Sequence, residues 1–211
     1  MKNKIFGITG LCIDTNNENC IMGAGKDEVS KYLISKGYTS IALADPIKRF
    51  AMDVWGLSRE QLWGPSSLRN RIDKRYNLSV RDILQKIGTD VARKLDKDVW
   101  ARYAIKVAKE LNNNPFKRYK PEIGLYTGFP KFRKGVVISD VRFINEFEYI
   151  KYNGGTLLRV VRNIDKVPES SDHESEQEIL SIPSNEFDIV LDNNGSIEDL
   201  YEKINQIILY L

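Results

Sequence analysis

Apolar residues fall into five short runs, separated by longer stretches in which they recur every three or four positions. The runs Lys4–Ile8, Ser40–Leu43, Val136–Ser139, Thr156–Val161 and Asp188–Leu191 predict strands, and helical spacing begins at about Lys26, Pro46, Ser79, Asp98, Arg142 and Ser196. Strand and helix in alternation predict an α/β fold with a parallel five-stranded sheet and helices on both faces. Two helix starts carry their own signal. Ser79 precedes Asp82 by three residues, and Ser196 precedes Asp199 likewise, so each serine is placed to cap its first turn. Gly154-Gly155 predicts the end of a helix ahead of the fourth strand. Within Ser79–Leu95, the residues Val80, Ile83, Leu84, Ile87 and Val91 form a predicted buried stripe, leaving Arg81 and Gln85 together on a neighbouring face. The polar stretches Asn112–Lys134 and Asp165–Pro183 read as surface loops or lids.

Composition narrows the class. A chain of 211 residues with 42% apolar content suits one domain with a continuous core and excludes a disordered chain. No apolar run is long enough to span a bilayer, and the opening MKNKIFGITG turns polar too soon for a signal peptide. Cys12 and Cys20 lack CxxC spacing and only one histidine is present, which argues against a zinc site and against a disulfide framework. The expectation is a cytoplasmic protein. The formal charge of +3 hides an asymmetry: residues 66–109 carry 12 Lys/Arg against 5 Asp/Glu, whereas residues 163–211 carry 2 against 12. A basic middle predicts an anionic partner, either nucleic acid or a small phosphorylated molecule; a solvated helix face is the plainer alternative.

The sharpest local signal is Gly23-Ala24-Gly25-Lys26-Asp27, which follows the strand Ile5–Ile8 and opens a helix. Glycines turn backbone amides inward, the helix N-terminus adds partial positive charge, and Lys26 reaches terminal phosphate oxygens. The usual GxxxxGK[ST] places Gly at position 20 and Ser or Thr at 27, where this chain has Cys20 and Asp27. Gly10 serves as the first glycine if the intervening residues loop out, and their Asn-rich centre predicts a small hairpin. Asp27 remains able to hold magnesium, directly or through water. A second element is Val136–Asp140, an apolar strand ending in an acid, where a carboxylate stands beside a nucleotide's metal. Arg142 follows instead of a glutamate that activates water, which suits clamping a phosphoryl group in transfer.

Taken in order, GAGKDEVSKYL (23–33), IALADPIKRF (41–50), QLWGPSSLRN (61–70), RDILQKIGTDVAR (81–93), DVW (98–100), VVISDVRFINE (136–146), NGGTLLRVVR (153–162), DHESE (172–176) and DNNGSIEDL (192–200) resemble the deoxynucleoside monophosphate kinase family of tailed phages, within the P-loop kinases. The resemblance covers nearly the whole chain. It implies a P-loop NTPase three-layer sandwich forming one kinase domain over residues 1–211. That domain would carry a hairpin insertion at 11–22, a monophosphate-binding helical region at about 46–112 and a lid-like segment at about 163–183. The implied reaction moves the γ-phosphoryl of ATP to deoxynucleoside 5′-monophosphates, giving diphosphates and ADP, with Mg2+ as cofactor.

Site residues follow from the same segments. Gly23, Ala24, Gly25, Lys26, Asp27 and Glu28 are expected at ATP, with Glu28 standing where the family usually has Thr and Asp27 as the metal ligand. Asp45, Lys48, Arg69, Arg81, Gln85, Trp100, Asp140 and Arg142 are expected at the acceptor, with base and monophosphate recognition centred on Arg81 and Gln85. Arg93 is an alternative phosphate ligand. Lys26, Asp140, Arg142 and the lid arginine Arg162 are expected to be catalytic. The expected partners are then ATP and deoxynucleoside monophosphates, with neither a membrane nor nucleic acid expected; a homodimer is compatible. Another P-loop small-molecule kinase, acting on a ribonucleotide or dephospho-coenzyme A, shares the loop and the Asp140 strand. The Arg81/Gln85 helix favours a nucleobase acceptor. A nucleic-acid-binding module ranks behind, because motif residues and a helix stripe interrupt the basic middle.

Overall fold

The computed structural model describes residues 4–16, 18–21, 23–114, 133–165 and 178–210. Most of the lid-like segment, with His173 and Glu176, lies outside the described residues, as does most of 117–134. Strand β1 (Lys4–Ile13) turns into β2 (Asn19–Cys20), and the chain then runs through α1 (Lys26–Ser35), β3 (Tyr38–Ala42) and α2 (Asp45–Trp55). Short helices α3 (Arg59–Trp63) and α4 (Ser66–Arg69) precede the small hairpin of β4 (Ile72–Asp73) and β5 (Leu78–Ser79). Helix α5 (Val80–Gln85) continues as a π-helix over Lys86–Arg93 and is followed by α6 (Val99–Asn113). The sheet resumes with β6 (Gly135–Ser139), then α7 (Ile144–Tyr152), β7 (Thr156–Asn163), β8 (Ile189–Asp192) and α8 (Ile197–Tyr210).

Five parallel strands lie in the order β3-β6-β1-β7-β8, and β2 pairs antiparallel with the end of β1, Cys12 opposite Cys20. Alternation along the strands feeds two cores. On one face Ile5, Val136, Ile138 and Leu157 pack with Ala104 and Ile105 of α6 and Phe147 and Ile150 of α7. On the other, Phe6, Ile8, Val137 and Val160 pack with Val29 and Leu33 of α1 and Leu200 and Ile204 of α8. Helices therefore cover both faces of a parallel sheet, as the apolar pattern predicts, and each fully buried aliphatic side chain contributes about 1.5–3 kcal/mol. A third cluster, Ala51, Leu57, Leu62, Val80 and Ile83, joins α2, α3 and α5 into a helical lobe.

Local signals in the sequence act where they stand. Ser79 Oγ accepts the Asp82 amide at 3.1 Å and Asp82 returns the bond to the Ser79 amide at 3.0 Å; Ser196 and Asp199 repeat the exchange. The buried stripe holds at Val80 and Ile83 but fails at Val91, which is 58% exposed. Bonding from i to i+5 over Lys86–Arg93 widens the turn, so residues past Gln85 leave the face that α-helical spacing assigns them. On β7, Arg159 is buried: its guanidinium donates to the carbonyls of Ile182 (2.7 Å) and Ile179 (2.8 Å) and stacks 3.9 Å from the Phe187 ring centroid. It ties the chain before β8 to the sheet.

Candidate active site

The phosphate loop is built from the return of the β1–β2 hairpin. Gly23 and Gly25 adopt φ of 89° and 97°, left-handed values that glycine alone reaches without strain. Gly10, still within β1, passes so close to the returning chain that a Cβ there would meet the Ile21 carbonyl oxygen at 2.6 Å and the Ala24 Cβ at 2.9 Å. Asn193, just past β8, donates its side-chain amide to the Ala24 carbonyl at 2.8 Å and so holds the loop from the far side. Among the described residues no side chain caps the start of α1, which leaves the amides at its very start and the positive end of its dipole for an anion.

Lys26 opens α1 and extends to Asp140, with Nζ 3.7 Å from Oδ1; the other carboxylate oxygen of Asp140 meets Arg142 Nη2 at 2.8 Å. Asp140 thus stands between the loop lysine and an arginine. Its φ of 70° is unusual for a residue with a side chain, a conformation that costs on the order of 1 kcal/mol or more. Neighbouring bonds hold it: the Val141 amide donates to the Ile8 carbonyl at 3.0 Å, and the amides of Arg142 and Phe143 donate to Glu146 Oε2 at 2.8 and 3.2 Å. Burial alone would raise the Asp140 carboxyl, but Arg142, Lys26 and Lys48 outweigh it and hold it at about 2, so it is anionic at neutral pH. Its Oδ1 is buried with no hydrogen-bond partner among the described residues.

Beyond this pair lies a cavity of about 490 Å³. Leu43, Ile47, Leu84, Trp100 and Phe143 give it apolar walls, while Lys48, Arg69, Arg81, Gln85 and Arg93 add polar groups. Burial pushes Lys48 below its ordinary range, against the pull of Asp45. Burial likewise lowers Arg69, helped by its neighbours Arg81 and Arg142. Three guanidinium groups and an ammonium therefore line one cavity with Asp140, an arrangement suited to an anion with more than one charge. Arg69 is fixed by bonds to the carbonyls of Gly64 (2.9 Å) and Leu62 (3.4 Å), and Arg81 by Asn70 Oδ1 at 2.9 Å.

Of the acceptor residues expected from sequence, Lys48, Arg69, Arg81, Gln85, Trp100, Asp140 and Arg142 line this cavity and Asp45 does not. Asp45 is 1% exposed and its carboxylate accepts the Trp63 indole N–H at 3.0 Å, so it braces α2 against α3. Trp100 has its ring at the wall while its N–H donates to the Gly88 carbonyl at 3.0 Å within the π-helical stretch. Asp27 is exposed beside Lys26, Nζ to Oδ1 3.5 Å, and Glu28 pairs with Lys31 on the outside of α1. Arg162 is exposed on β7 opposite Cys12 in register and does not line the cavity. Glu146 and Thr89 line the cavity without having been singled out. Glu146 had a weak signal: it stands three residues after Phe143, at the capping-box spacing, but the missing Ser or Thr conceals it.

A glycine-rich loop opening a helix beside a parallel sheet, with a cationic cavity joined to it through one aspartate, defines the P-loop kinase class. A family model described as deoxynucleotide monophosphate kinase matches residues 65–204. A putative deoxynucleotide monophosphate kinase of Acanthamoeba polyphaga mimivirus is 33% identical over 184 residues, covering 86% of this chain and 89% of that protein. The deoxynucleotide monophosphate kinase of Escherichia phage RB69 is 29% identical over 131 residues, 62% of this chain and 45% of its own length. A solved dephospho-CoA kinase from Campylobacter jejuni aligns with the whole chain and 98% of its own, at 15% identity and a TM-score of 0.48. The chain belongs to the deoxynucleotide monophosphate kinase family and is a phosphotransferase. No helix among the described residues is long and apolar enough to cross a membrane.

Proposed function

We propose that the loop at 23–27 holds the triphosphate of ATP, that the 490 Å³ cavity holds a deoxynucleoside 5′-monophosphate, and that the γ-phosphoryl passes between them beside Asp140. The observation that carries this reading is the continuous chain of charge from Lys26 through Asp140 to Arg142, which joins the loop to the cavity. The acceptor phosphate is already ionised and is itself the nucleophile, so the reaction needs alignment and charge neutralisation rather than a strong base. With its carboxyl held at about 2, Asp140 does not serve as a proton acceptor near neutral pH; it orients the two cations on either side.

Lys26 neutralises charge developing on the transferred group, and Arg142 spans the donor and acceptor phosphates. Lys48, Arg69 and Arg81 hold the acceptor phosphate, while the apolar walls with Gln85 receive the nucleoside. The buried Oδ1 of Asp140, without a hydrogen-bond donor among the described residues, fits a divalent cation carried with the nucleotide, and Asp27 is a second carboxylate within 3.5 Å of Lys26 Nζ. Mg2+ there would neutralise the β- and γ-phosphate oxygens. Arg162, exposed on β7 and close enough to Cys12 to act on that thiol as Lys26 does, is a further cation for the transferring group. A panel of the four deoxynucleoside monophosphates with ATP, followed by coupled ADP detection, tests the reading: at least one must yield its diphosphate. Absence of turnover with all four contradicts it.

A further inference from the structure

One basic residue of the cavity stands apart from the phosphate-holding cluster. Lys48, Arg69 and Arg142 act on one another and on Asp140, and Arg81 acts on Arg69, whereas Arg93 acts on Glu146. Arg93 closes the π-helical stretch, and its wide turn carries the side chain to the cavity wall. The guanidinium lies 3.5 Å from the Phe143 ring centroid and donates through Nη2 to Asn145 Oδ1 at 3.1 Å. Nη1 is buried with no hydrogen-bond partner among the described residues; Glu146 Oε1, at 4.0 Å, is too distant to accept its proton. A buried N–H that faces its counter-ion at 4.0 Å but has no hydrogen-bond acceptor is costly in a folded protein, and on the wall of a ligand cavity it signals an acceptor atom that arrives with the ligand.

Resting on the reading of this cavity as the acceptor site, we infer that Arg93 is a binding residue for the nucleoside part of the acceptor, not for its phosphate. Nη1–H donates to an unprotonated ring nitrogen or a carbonyl oxygen of the base, which sits between the apolar walls at Ile47, Leu84 and Trp100. Glu146 is its positioning residue. Two backbone amides fix Oε2, so the remaining oxygen faces Arg93 from one direction only and turns the guanidinium toward the cavity.

The test compares wild type with Arg93→Met, which keeps a long apolar stem on Phe143 and removes the donors. Steady-state KM is measured for the four deoxynucleoside monophosphates and for ATP, with inhibition constants for the four unphosphorylated deoxynucleosides. Arg93→Met is expected to raise KM for the preferred monophosphate about tenfold, and the deoxynucleoside inhibition constants by the same factor, with the ATP KM unchanged. Glu146→Gln is expected to raise both by about threefold and to add nothing on top of Arg93→Met, because it acts through that side chain. If Arg93→Met unfolds, Arg93→Lys, which lacks the forked donors, gives the same comparison. A rise in monophosphate KM with unchanged deoxynucleoside inhibition would place Arg93 on the phosphate and overturn the inference, as would no change in either. Additive effects of the two substitutions would overturn the positioning role of Glu146. Failure of wild type to phosphorylate any monophosphate would instead overturn the acceptor-site reading beneath it.

Discussion

The glycine loop and the basic cavity meet at Asp140, yet they are made in different ways. The loop takes its form from one stretch of backbone: two left-handed glycines, an uncapped helix start and a lysine as the first helical residue. The cavity draws side chains from the turns after β3 and β6 and from α2, α4, α5 with its π extension, α6 and α7. A site made of backbone tolerates changes in the surrounding side chains, whereas a site assembled from many elements depends on the register of each. Substitutions on the loop side should therefore act on turnover, and those on the cavity side on acceptor affinity.

The largest effect is expected on the loop side. Lys26→Ala should lower kcat by about 10²–10³-fold in a coupled ADP assay, with thermal stability close to wild type. Arg142→Ala, at the junction of the two regions, should lower kcat by on the order of 10²-fold and also raise the acceptor KM; an effect on KM alone would move Arg142 wholly into the cavity. Lys48→Met should raise the acceptor KM about tenfold while kcat and the ATP KM stay near wild type, as read from initial rates at varied concentrations of each substrate.

The next contrast reads through pH. Burial pushes the Glu146 carboxyl up from 4.5 to about 7, against the amides of Arg142 and Phe143 and the Arg93 guanidinium, while Asp140 pushes it further up. The folded chain therefore binds more protons at Glu146 than the unfolded chain between those values, and that contribution to stability declines as pH rises through the window. Denaturant unfolding of Glu146→Gln and wild type should show the variant gaining relative stability from pH 4.5 to about 7 and a constant difference above it. A difference independent of pH would mean that Glu146 is ionised throughout. The smallest effect is expected at Val91: Val91→Ala should change stability by less than about 0.5 kcal/mol, against about 2–4 kcal/mol for Ile83→Ala. Similar losses at both would mean that the segment is α-helical after all.

That last pair shows where the sequence stops being legible. Strand runs, helix order, both serine caps and the loop at 23–27 could be read because each depends on residues close in sequence. Val91 falls on the buried stripe only if α-helical spacing continues through Lys86–Arg93, and nothing in the local pattern announces an i to i+5 turn. Asp45 was expected at the acceptor because it opens a helix after a strand; its real partner, Trp63, lies 18 positions away and is brought there by the packing of α3. Arg69, Arg81 and Arg142 come together from segments up to 73 positions apart, so their identity was readable but their convergence needed the fold.

The measurement that bears most directly on this account is ADP release by the wild-type protein with ATP and Mg2+, in the presence and absence of each deoxynucleoside monophosphate, with the nucleotide products resolved by chromatography. The account predicts ADP formation that depends on the monophosphate and is matched mole for mole by the corresponding diphosphate. ADP release at the same rate without an acceptor, or no diphosphate with any of the four, would contradict it.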